Sequence, residues 1–205
     1  FDCYHAIGHV SMFVAEYDIE EAIGYCKLLH DKRAAYTCAT GVFMEEMLVK
    51  GKIDEGSFYP CDTHPEFPAA CFRYTFANWE RQPFNYRLAA TQCLALHDPN
   101  QQRGCLHAVG FASFRIIYNR PELLPAVCSF GTKIDKLMCI EGAAGKLNTH
   151  YPAKQKEACE FLTDAKLKDA CKHAQNLGAN KDPKLYYNVQ SDQSLFSWIL
   201  SLMKK

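Results

Sequence analysis

Apolar residues recur along this chain at helical spacing, in runs that polar turns interrupt at regular distances. Tyr36, Val42, Phe43, Met44 and Met47 are the apolar positions of a helix expected over 35–50. Cys71, Phe72, Tyr74, Phe76 and Trp79 are those of a helix from Ala69 onward, and Leu106, Val109, Phe111, Phe114, Ile116 and Ile117 those of one from Gly104 onward. Further helices of this kind are expected over 3–17, over 136–148 and from Cys171. Shorter helices alternate with them, each opened by an Asp or Asn cap or by a first-turn proline. They are expected over 18–29 (behind Asp18 with Glu21 three residues on), 54–61, 84–96, 123–130 and from Pro152. The stretch 62–68, with two prolines, is the least regular connection.

The cysteines repeat in phase with these helices. Cys3, Cys38, Cys71, Cys105, Cys139 and Cys171 lie 35, 33, 34, 34 and 32 residues apart. After four of them a glycine follows within six residues: Gly8, Gly41, Gly110 and Gly142. A period near 34 residues signals a helical repeat, so the chain reads as an all-α solenoid of two-helix units spanning 1–191. Leu195, Phe196, Ile199, Leu202 and Met203, with Trp198 and a dibasic end, then predict a capping or docking helix over 192–205.

A second cysteine series precedes the first by 10–12 residues, which pairs Cys26 with Cys38, Cys61 with Cys71, Cys93 with Cys105, Cys128 with Cys139 and Cys159 with Cys171. Closing loops of that size contributes about 3 kcal/mol per bridge in the chain-entropy model. Zinc is the rival use of so many cysteines, but the chain has no CxxC, which also removes a CxxCH for attached haem. Disulfides imply an oxidising, periplasmic or secreted setting. By the common spacing the partner of Cys3 is expected 10–12 residues upstream, or else Cys3 is a free thiol; the start at Phe1 without Met or signal peptide reads as a processed or truncated chain.

Composition narrows the partners. Lys+Arg and Asp+Glu both total 23, so no basic footprint points to nucleic acid, and 48% hydrophobic residues indicate a packed globule. No apolar run is long enough to span a membrane. The absence of Asn-X-Ser/Thr sequons favours a bacterial envelope or secreted protein.

Two clusters carry candidate chemistry. His5 and His9, four residues apart on one helix, face the same way; with Glu45 or Glu46 from the next long helix they form a candidate metal site for zinc, copper or haem iron, and Met12, Met44 or Met47 stand near enough to suit copper. The second cluster follows from the position two after each first-series cysteine: His5, Thr40, Arg73, His107, Glu141 and His173, polar in every case. In stacked units these residues form a ladder. Arg73, His107 and Glu141, with Tyr74, Trp79 and Arg115 beside them, are the expected lining of a binding groove. No GxSxG elbow or phosphate-cradling glycine loop is present, and the scattered acids offer no catalytic pair, so an enzyme is the weaker reading.

The 34-residue two-helix unit resembles the tetratricopeptide family, and its disulfide-locked units resemble the secreted Sel-like repeat proteins of bacteria. The opening CYHAIGH and the later GVFMEE are similar to a group of uncharacterised bacterial proteins. The repeat families imply binding of a protein or peptide on a concave surface, as a scaffold or as one subunit of a larger envelope or extracellular assembly.

Overall fold

The computed structural model describes residues 2–79 and 84–174, and there the chain is helical, as the periodicity predicts. The helices are α1 (Asp2–Val14), α2 (Ile19–Lys27), α3 (Lys32–Lys50), α4 (Pro68–Asn78), α5 (Tyr86–Leu94), α6 (Pro99–Ala112), α7 (Phe114–Asn119), α8 (Leu124–Val127), α9 (Lys133–His150), α10 (Pro152–Glu160) and α11 (Ala165–His173). Among the described residues there is no strand, only an isolated bridge between Ile53 and Trp79. The helix expected over 192–205 lies outside the described residues.

Six helices carry the first cysteine series, and in chain order each packs against the next: α1 on α3, α3 on α4, α4 on α6, α6 on α9, and α9 on α11. The shorter α2, α5 and α10 lie against α3, α6 and α9 respectively. All five expected disulfides form, with Cα–Cα distances of 5.4–5.7 Å, inside the usual range. Each joins cysteines only 10–12 residues apart. Five such bridges indicate an oxidising, extracytoplasmic environment. No helix of the described residues is long and apolar enough to cross a membrane.

The structure departs from the expected boundaries for local reasons. Four of the long helices begin six residues before their cysteine, because a capping residue stands one place earlier: Asp31, Asp98, Thr132 and Asp164. Asp98 is typical, accepting from the backbone N–H of Asn100 at 2.9 Å and of Gln101 at 2.8 Å. The short helix expected over 54–61 does not form; this stretch is a series of turns. Gly56 there adopts a φ of +95°, which a right-handed helix excludes, Gly51 just before it one of +77°, and Pro60 lacks an amide hydrogen. The helix from Gly104 breaks at Ser113, whose hydroxyl donates to the Val109 carbonyl, and resumes as α7. Phe72, Phe76, Trp79 and Phe84 fill the middle of the core edge to face and tilted, with Phe76 and Trp79 4.9 Å apart.

Candidate functional site

The site begins with two glycines. Where α1 crosses α3, a Cβ on Gly8 would lie 2.0 Å from the Cys38 carbonyl oxygen, and one on Gly41 would lie 2.1 Å from that of His5. Only glycine at both positions lets the two backbones touch. That contact puts the side chains that follow within hydrogen-bonding reach of one another. His5 Nδ1 lies 2.8 Å from Thr40 Oγ1, and His9 Nδ1 lies 2.6 Å from Glu45 Oε2. The Nε2 atoms of the two rings face each other at 3.3 Å, with ring centroids 4.9 Å apart and planes at 85°.

These partners settle the tautomers. Thr40 donates its own hydrogen to the Thr37 carbonyl at 2.5 Å, so its oxygen accepts from His5 Nδ1–H. The Glu45 carboxylate can only accept, so His9 Nδ1 donates as well. Both Nδ1 atoms therefore donate outward, and the two Nε2 atoms are left to meet each other. The cluster is half-buried and reachable from solvent.

Of the expected metal ligands, His5, His9 and Glu45 come together, with Glu45 behind His9 on the opposite nitrogen. Glu46 is directed elsewhere and accepts from the Tyr59 hydroxyl; burial, and then that carboxylate, push the phenol up to about 12. Met12 and Met47 are core residues and Met44 is half-buried. No group of three or more His, Cys, Asp or Glu that could hold a metal occurs among the described residues.

The expected groove residues divide. Arg73, His107 and Trp79 are buried, Tyr74 and Glu141 are half-buried, and Arg115 is exposed. Trp79 packs on Phe76 and Phe84 and donates to the Ser57 carbonyl, whereas Arg73, His107 and Arg115 lie about a second glycine crossing. A Cβ on Gly110 of α6 would lie 1.9 Å from the Cys139 oxygen, and one on Gly142 of α9 2.0 Å from that of His107. Relative to their cysteines, Gly110 and Gly142 repeat the positions of Gly8 and Gly41. At the positions of His9 and Glu45, however, stand Phe111 and Lys146. Lys146 Nζ sits 4.9 Å from the Phe111 ring centroid, and the Arg73 guanidinium lies 3.9 Å from the same ring. Aromatic faces meet these charges. Burial, followed by Arg73 and Arg115, holds the Lys146 ammonium below its ordinary range, and burial with Arg73 pushes His107 down to about 3.

One surface escapes the repeat reading. The outward residues of α1 are Cys3, Tyr4, Ala6, Ile7, Val10, Phe13 and Val14, none of them charged, and Val10, Phe13 and Val14 are 59, 70 and 64% exposed. Cys3 is a free thiol on this face. The signal was present in the sequence: α1 is uncharged and mostly apolar all round apart from its end residue, the two histidines and Ser11, a pattern proper to a covered helix.

Fold and site thus define an all-α, disulfide-stapled protein with a histidine pair at a glycine crossing and an open apolar helix face. Comparison of the chain with family models, with curated proteins and with solved structures finds no match in any of the three.

Proposed function

We propose that the protein is an extracytoplasmic scaffold of stacked two-helix units that binds a protein partner, and that the partner lays an amphipathic helix across the outer face of α1. The observation that carries this is the run of uncharged, exposed side chains from Cys3 to Val14. A contiguous apolar face of this kind marks an interaction site in a water-soluble domain. The bonded cysteines add to it. Cys38, Cys105 and Cys171 each hold a neighbouring short helix through a cysteine, and Cys3 occupies the equivalent place on α1 with its thiol exposed. A helix packed on α1 as α2 packs on α3 meets the same geometry, and one bearing a cysteine could bond to Cys3. The short local bridges make the support rigid, so little ordering entropy is lost on docking.

The test places a photo-crosslinking residue at Phe13 in the exported protein of the native host, with the same residue at exposed Lys166 as control. The expected result is one discrete partner at position 13, lost on adding Val10→Asp, and none at 166. An intramolecular product, a homodimer only, or equal capture at both positions would overturn the proposal.

A further inference from the structure

We propose that His5 and His9 form a two-imidazole clamp for a divalent zinc-class cation, bound through both Nε2 atoms, with Thr40 and Glu45 orienting the rings from behind. This site is separate from the partner face: its ring nitrogens point between α1 and α3, away from the outward apolar residues.

The tautomers come first. With both Nδ1–H groups committed to Thr40 and Glu45, the two Nε2 atoms meet each other at 3.3 Å, near enough for one proton or one ion to bridge them. A metal fits the spacing. With metal–nitrogen distances of about 2.0–2.1 Å, a 3.3 Å span subtends about 105–110° at the ion. The 4.9 Å centroid separation independently gives about 100° for an ion in line with both rings. The angle from the nitrogen span is close to tetrahedral, which suits zinc better than the square-planar preference of divalent copper.

The outer partners point the same way. Metal-binding histidines commonly donate their second nitrogen to a carboxylate, hydroxyl or carbonyl, which fixes the ring and raises its basicity. Here both rings are held in that manner before any ion arrives. Packing alone does not demand this set, because the equivalent crossing of α6 and α9 is built with Phe111 and Lys146 where α1 and α3 carry His9 and Glu45. His5 and His9 are both partly exposed, so water can reach the ion and complete its shell. The ion is therefore exchangeable and is not a folding staple.

The test uses tag-free, disulfide-intact protein treated with chelator and dialysed, then titrated with Zn²⁺ by calorimetry. One equivalent is expected. His5→Ala and His9→Ala should each abolish binding, with helical content and the five disulfides unchanged. Glu45→Gln keeps both Nε2 atoms and should weaken binding about 10-fold, through loss of the orienting carboxylate. This variant decides the matter even if an alanine variant folds poorly. Co²⁺ loading should give the intense visible absorption of tetrahedral coordination. No uptake at about 100-fold molar excess of Zn²⁺, unaltered affinity in Glu45→Gln, or binding retained in both alanine variants would overturn the proposal.

Discussion

Glycine 41 shows how much one missing atom decides. Its α-carbon lies where α3 meets the His5 carbonyl, and a Cβ there would sit 2.1 Å from that oxygen. No side-chain rotation can relieve a clash with backbone, so α1 must move away from α3. Gly41→Ala should cost about 3 kcal/mol and separate His5 from Thr40, seen as a lower urea midpoint and weakened Zn²⁺ uptake. Gly24, within α2, has nothing within 4 Å of its would-be Cβ. Gly24→Ala should stabilise by about 0.5–1 kcal/mol through helix propensity. An equal effect of the two substitutions would refute the close-contact explanation. His5 and His9 belong to the same scale. Their shared face follows from i,i+4 spacing and was legible in the sequence. That Glu45 reaches the pair and Glu46 does not depends on the rotation of α3, which the glycine contact sets and which no linear pattern reveals.

At the scale of elements, the cysteine period identified the long helices but misplaced the starts of four of them. The missed signal is a capping residue seven places before the cysteine, Asp31, Asp98, Thr132 and Asp164 in turn. It was hidden because the sequence Asp98-Pro-Asn also reads as a turn, and proline at N1 is compatible with either. The cap has a measurable weight. Asp98→Ala removes the acceptor for two backbone N–H groups and should lower stability by about 1 kcal/mol in urea unfolding; an unchanged midpoint would show that water replaces it. The stretch before Cys61 failed for the opposite reason, since its cysteine spacing fits the repeat while Gly51 and Gly56 take backbone angles that no helix allows. Cysteine spacing there reports the disulfide, not the secondary structure.

For the molecule as a whole, the disulfides and the packing do different work. Every bridge closes a loop of 10–12 residues, so none ties one disulfide-bonded pair to the next. Cohesion along the row rests on helix crossings, and the central one buries His107 beside Arg73 between α4, α6 and α9. Burial foremost, then the guanidinium, hold this imidazole neutral, down to about 3. In the unfolded chain it takes up a proton near pH 6.5. Its contribution to stability is therefore complete above pH 6.5. It is lost as pH falls toward the folded value, because only the unfolded state gains the proton in that window. The loss is on the order of 3 kcal/mol by pH 4. Denaturant unfolding from pH 7 to pH 4 should show the wild type losing more stability than His107→Leu by about that amount, with the surface carboxylates and other histidines cancelling in the comparison. Parallel curves would mean that the folded protein accepts the proton, and that the α6–α9 crossing opens to water well before the chain unfolds.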